Sequence, residues 1–118
     1  WFDLYENGLY PGDDVIDWIG FNKYNWHRCK TQNWANFEDT LASPMEWLND
    51  NTALIDKDKP VMIGEFSTEE NTGALNSEET KGEWYRSIPG VLANTYPRVK
   101  AMIAFDTEGR DSNGVPQF

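Results

Sequence analysis

The chain is short of several things, and each shortage narrows the field. It has one cysteine, Cys29, in 118 residues, so no internal disulfide can form and the redox compartment stays undecided. It has one histidine, His27, and no spacing of His, Cys and carboxylates that argues for a structural or catalytic metal. Basic residues are half as frequent as acidic ones, 10 against 20, for a formal net charge of −10. That balance repels phosphate backbones and anionic membranes and argues against a nucleic-acid or membrane partner. There is no apolar run of about 18 residues, no basic segment leading into an apolar one, and no glycine-rich phosphate loop, so no transmembrane span, signal peptide or nucleotide-binding motif is read. No cofactor is expected.

What is present is a globular composition with an aromatic surplus. Hydrophobic residues make up 39% and aromatic residues 14%, including six tryptophans, enough for one ordinary domain with a real core. Tryptophan offers a broad flat face with a polar handle, suited both to filling a core and to stacking on planar or sugar ligands.

Three short apolar, β-rich runs punctuate the chain. The first, Val15-Ile16-Asp17-Trp18-Ile19-Gly20-Phe21, closes on the polar and aromatic cluster Asn22-Lys23-Tyr24-Asn25-Trp26-His27. The second, Lys59-Pro60-Val61-Met62-Ile63-Gly64-Glu65-Phe66, ends on a carboxylate, and the third spans residues 99–105 before Asp106, Thr107 and Glu108. Between them lie two helical stretches. In the first, Phe37 and Leu41 share a face, and Ser43-Pro44-Met45-Glu46 reads as a capping box opening a helix over 44–55. In the second, Ser77 reads as the N-cap of a helix carrying Trp84, Ile88 and Leu92 on one face, kinked or restarted at Pro89-Gly90 and finishing near Tyr96-Pro97. The loop between Glu65 and this helix has Gly73 as a hinge candidate.

The order strand, helix, strand, helix, strand requires parallel pairing. In such sheets the loops after the carboxyl ends of the strands gather the ligand site. Glu65 and Tyr24 then lie at the same end of neighbouring strands. Two readings of Glu65 stand at this point: a ligand-facing carboxylate and a solvated loop charge. Three parallel strands with two crossovers leave edges unpaired and one face hard to cover, which favours a portion of a larger α/β sheet or barrel over a free-standing unit.

The segments Tyr10-Pro11-Gly12-Asp13-Asp14-Val15-Ile16-Asp17-Trp18-Ile19-Gly20-Phe21, Tyr24-Asn25 and Lys59 to Phe66 together resemble the C-terminal part of glycoside hydrolase family 26, the family of many β-mannanases. The likeness runs over about residues 10–106. It implies that residues 1–118 are a C-terminal fragment of a (β/α)8 barrel carrying strands six, seven and eight, less than half of the roughly 250 residues a whole barrel needs. It implies a secreted, retaining endo-β-1,4-mannanase or a β-glucanase or xylanase of the same family, with polysaccharide as partner. Glu65 matches the family's nucleophile, and Tyr24 matches the tyrosine that keeps that carboxylate ionised by donating to it. Phe105 stands where many members carry a tryptophan under the sugar, keeping an apolar face without the indole N–H. Trp26 and Asn25 are expected to line the cleft, His27 less so. Retaining hydrolysis needs two carboxylates about 5–5.5 Å apart. The second, the acid/base, has no counterpart in this sequence and is expected upstream of Trp1, so the chain alone is expected to be inactive. Two rivals remain: a non-catalytic carbohydrate-binding module, and an enzyme pairing Glu65 with Asp106 or Glu108.

Overall fold

The computed structural model describes residues 8–26 and 33–105; His27, Cys29, Asp106 and Glu108 lie outside the described residues. Strand β1 spans Ile19–Asn25, helix α1 Phe37–Asp50, strand β2 Val61–Thr68, helix α2 Lys81–Asn94 and strand β3 Val99–Ala104. The three strands form one sheet in the order β1-β2-β3, parallel throughout. Each expected strand is found with shifted bounds: β1 starts at Ile19 and not Val15 and runs on through Tyr24 to Asn25, and β2 continues past Glu65 to Thr68; the parallel topology follows from crossovers long enough to hold a helix.

Helix α1 begins seven residues before the Ser43–Pro44 start read from the sequence. Asn36 caps it, its side-chain oxygen accepting from the Asp39 amide at 2.8 Å, and Glu38 and Asp39 sit in the first turn, where the helix dipole favours them. Pro44 is inside the helix and deprives the Thr40 carbonyl of its usual donor. An interior proline costs about 3 kcal/mol, whereas each buried apolar side chain returns about 1.5–3 kcal/mol. Continuing through Pro44 places Phe37, Leu41, Met45 and Leu48 on one buried face, and that face outweighs the lost bond. Asn51 ends the helix, its amide donating to Trp47 O, so Ile55 reaches the core from the following turns and not from the helix.

Helix α2 likewise starts at a different cap. Thr80 and Glu83 make a reciprocal capping box, with Glu83 N donating to Thr80 Oγ1 at 3.2 Å and Thr80 N to Glu83 Oε2 at 2.8 Å. Ser77 instead accepts from Glu79 N at 3.1 Å within the preceding loop. Pro89 falls inside the helix, which runs on to Asn94 without restarting.

Both helices lie on one face of the sheet. Phe37 of α1 meets Trp84 of α2 edge to face at 5.1 Å between ring centres, and Phe66 of β2 lies 6.3 Å from each. This trio belongs to one core of thirteen buried apolar side chains, which draws Trp34 and Ile55 from the connections. The expectation of an arc of a (β/α)8 barrel is thereby corrected: the described residues form an open three-stranded sheet with two helices, a compact α/β unit with its own core. The α/β class holds. The physical reason is that both crossovers pack on the same side, so two helices and their loops enclose a core that three strands alone do not.

At the amino ends of the strands the two motif blocks are tied together. The Lys59 ammonium donates to the carbonyls of Asp13, at 2.9 Å, and Ile16, and pairs with the Asp13 carboxylate at 3.2 Å. Asp13 also accepts from the Tyr10 hydroxyl at 2.6 Å and the Asp56 amide at 2.9 Å. The Tyr10 bond, first, then the Asp56 amide and Lys59 hold the Asp13 carboxyl below its ordinary pKa. Gly12 opens this turn at φ +107°, a conformation few other residues adopt. The Tyr-Pro-Gly-Asp-Asp block is thus a clasp at the end of the sheet away from Glu65.

Candidate functional site at the carboxyl ends of the strands

The placement of Glu65 depends on a bulge in β2. With strict alternation Glu65 would share the face of Val61 and Ile63, both fully buried beneath the helices. The register shows otherwise. Ile63 pairs with Phe21 but Glu65 pairs with Asn22; on the other side Ile63 pairs with Met102 but Phe66 with Ala104. Gly64 is the extra residue relative to both neighbours. Beyond it the faces exchange: Phe66 and Thr68 turn to the helices, and Glu65 turns to the open face. A Cβ on Gly64 would stand 2.8 Å from Asn22 Oδ1, the end of an exposed side chain that would have to swing aside.

On that open face the Tyr24 hydroxyl donates to Glu65 Oε2 across the β1–β2 pair. Tyr24 stands opposite Ser67 in register, so its ring reaches diagonally back to the carboxylate, within range for a long side chain. The phenol is pushed up to about 12, chiefly by burial, then by its bond to Glu65 and by that group's negative charge. Tyr24 is therefore a donor, held protonated against a carboxylate.

Aromatic rings flank this pair. Trp26 lies 5.3 Å from the Tyr24 ring at 38°, and Phe105 lies 6.3 Å away edge to face. Phe105 is held at the end of β3 by its amide, which donates to Phe66 O at 2.9 Å. Four of the five residues expected at the site, Glu65, Tyr24, Trp26 and Phe105, are thus neighbours. Asn25 faces the other way. It is 4% exposed, donates to Thr68 Oγ1 at 3.0 Å and accepts from Ala35 N at 3.2 Å, tying β1, β2 and the segment before α1.

Other residues that shape this end were not marked by the sequence pattern, and the partners of Trp34 and Trp84 are more than 40 positions away. Trp34 exchanges two bonds with the Asn76 side chain, at 2.7 and 2.9 Å, and donates its indole N–H to Glu79 at 2.5 Å. Trp84 donates its indole N–H to Ala35 O at 3.1 Å. Asn71 donates to the carbonyls of Ser77 and Glu79, each at 2.9 Å, and accepts from Ala74 N at 3.0 Å. The loop following Glu65 is accordingly pinned on both sides of Gly73, the position read as a hinge. Glu69, 1% exposed at the start of this loop, is a buried acid that the sequence pattern did not mark. Among the described residues no group of three His, Cys, Asp or Glu side chains is placed to hold a metal ion.

A carboxylate bonded by a phenol donor and framed by aromatic rings thus stands toward the carboxyl ends of a parallel sheet, with flat apolar faces beside it. No family model matches the chain. Over 100 residues it is 26% identical to Endoglucanase H of Acetivibrio thermocellus, covering 83% of this chain and 10% of that protein. The chain thus spans about a tenth of the length of the curated relative it matches. This likeness supports a general relationship to carbohydrate-active enzymes, distantly to a glycoside hydrolase, and does not reach a particular family, nucleophile or polysaccharide.

Proposed function

We propose that the chain carries the nucleophile half of a retaining glycoside hydrolase site of the family 26 type, acting on a β-linked plant polysaccharide outside the cell. The observation that carries this reading is the hydrogen bond from Tyr24 to Glu65. In this reading Glu65 attacks the anomeric carbon and forms a glycosyl ester. Tyr24 donates to the attacking carboxylate and holds it in one orientation, and Trp26 and Phe105 offer apolar faces to the sugar rings. The leaving oxygen must be protonated by a second carboxylate about 5–5.5 Å away. That group is not assigned among these residues, so the proposal for the chain is attack without efficient acid catalysis. The family 26 resemblance favours β-mannan. An endo-β-glucanase reading is favoured by the relative, whose name is Endoglucanase H.

An activated substrate separates the two halves of the reaction. A dinitrophenolate leaves without protonation, so a 2-deoxy-2-fluoro-β-glycoside bearing it needs only the nucleophile, and its fluorine slows breakdown of the ester. Incubation of the chain with manno- and gluco-configured versions, followed by peptide mass spectrometry, is expected to place the label on Glu65. Glu65→Gln should abolish it without changing the thermal melt. Labelling of another residue, or equal labelling of the Gln variant, sinks the assignment. The configuration that reacts faster decides between mannan and glucan.

A further inference from the structure

At the amino ends of β2 and β3, the opposite end of the sheet from Glu65, an open cavity of about 470 Å³ lies between the C-terminal half of α1 and the turns that lead into the two strands. Three of the chain's ten basic residues, Lys57, Arg98 and Lys100, line it against one carboxylate, Asp58. In a protein of net charge −10 this is a local reversal of sign. The three cations are held differently. Lys57 pairs with Asp58 at 2.7 Å, but the two side chains are 71% and 79% exposed, and such a pair is worth little. Lys100 is exposed, without a hydrogen bond or ion pair among the described residues. Arg98 is fixed, its Nε donating to Lys59 O and its Nη2 to Asp56 O, each at 2.7 Å. Bracing the loop into β2 in this way occupies two of the three guanidinium nitrogens with neutral acceptors. The third, Nη1, is buried without a hydrogen-bond partner. The charges of Asp56, Asp58 and Asp13 act on Arg98 through space, yet burial outweighs them and holds its pKa below the ordinary arginine value. The group stays protonated all the same.

A partly buried cation bonded only to carbonyls is stabilised by an anion brought to it. With Lys57 set against Asp58, Arg98 and Lys100 carry two uncompensated charges. That balance favours a dianion over a singly charged carboxylate, and a phosphate monoester carries about −1.5 to −2 near neutral pH. The cavity is larger than a bare phosphate needs and falls within the range of about 300–1,000 Å³ of pockets that hold small organic ligands. Met45, Tyr96 and Pro97 give the remaining wall an apolar surface, with the Tyr96 ring held by its hydroxyl, which donates to Glu38 O at 3.1 Å. We propose that this cavity binds a small phosphomonoester, its phosphate toward Arg98 and Lys100 and its organic part against Tyr96. The site stands independently of the Glu65 reading.

The test is an NMR titration of the 118-residue chain with inorganic phosphate, phenyl phosphate and glucuronate, followed through the backbone amides. Phenyl phosphate is expected to shift the amides of Thr95, Arg98 and Lys100 and to leave those of Tyr24 and Glu65 in place. It should bind more tightly than inorganic phosphate, and both should bind more tightly than the singly charged glucuronate. Lys100→Gln alters an exposed side chain that bonds nothing, so the thermal melt should not change. Its affinity for phenyl phosphate should fall about tenfold, the weight of one hydrogen bond between charged groups. Glu65→Gln should bind like wild type. Failure of both phosphates to bind, or equal binding by Lys100→Gln, overturns the site. Shifts confined to Tyr24 and Glu65 overturn its placement. Equal affinity for inorganic and phenyl phosphate removes the organic part of the assignment, and glucuronate binding as tight as phosphate removes the dianion. None of these outcomes bears on the labelling of Glu65.

Discussion

At the scale of single residues the Tyr24–Glu65 contact makes a prediction about alkali that is independent of any activity. The Tyr24 phenol is raised from 10.0 to about 12 in the folded protein, so between these values the unfolded chain has released a proton that the folded chain still holds. Stability must then fall as pH rises. The contribution is complete below about pH 10 and is lost as pH passes through about 12. Urea unfolding of wild type and Tyr24→Phe across this range is expected to show a steeper decline for wild type, with the two curves converging at the alkaline end. Near neutral pH the Phe variant should be less stable by about 1 kcal/mol, the net worth of an ordinary hydrogen bond. Parallel curves would mean that Tyr24 does not donate to Glu65. The pairing of the two residues was implied only by the family resemblance, but that both lie toward the same end of a parallel sheet could be read from the sequence, because each follows an apolar run. The turning of Asn25 away from that pair could not, since its partners Thr68 and Ala35 are set by the fold.

At the scale of elements the strands were legible and the details that aim them were not. Val61, Met62 and Ile63 mark a buried strand, yet two-residue alternation would send Glu65 inward, and only the register reveals that Gly64 reverses the faces. The helix starts failed for a related reason. Ser43 and Asn36 both offer cap chemistry, as do Ser77 and Thr80, and the choice is made by burial of Phe37 and Trp84, which no local pattern weighs. The bulge is open to test. In Gly64→Ala the new Cβ would meet Asn22 Oδ1 at 2.8 Å, and Asn22 is exposed, so removing its side chain should relieve the clash. Because the atom met is the end of an exposed side chain that can rotate away, Gly64→Ala is expected to cost no more than about 1 kcal/mol, the low end of overpacking, and Asn22→Ala in the same chain should recover most of that. A double-mutant cycle in urea reads the coupling. Additive effects would show that contact with Asn22 is not what reserves this position for glycine.

At the scale of the whole molecule the structure is one-sided, and this is where the sequence reading went furthest astray. It held that three parallel strands, with unpaired edges and one face hard to cover, belong to a larger α/β sheet or barrel. Both helices in fact cover one face, and the large apolar residues of the other surface are solvent-facing: Trp18 is 47% and Ile103 52% exposed. If the core lies wholly on the helix side, the two surfaces must differ sharply in what they contribute. Trp84 is fully buried and touches Phe37, Phe66 and Tyr85. Trp84→Ala should therefore cost about 3–5 kcal/mol, a large part of the 5–15 kcal/mol typical of a whole domain. Trp18→Ala and Ile103→Ala remove side chains that already face water, and each should change stability by less than about 0.5 kcal/mol. Equilibrium unfolding in urea compares the three variants at constant m-value. If Trp18→Ala or Ile103→Ala proved as costly as Trp84→Ala, the bare face would be part of a second core, and the single-sided architecture would have to be abandoned.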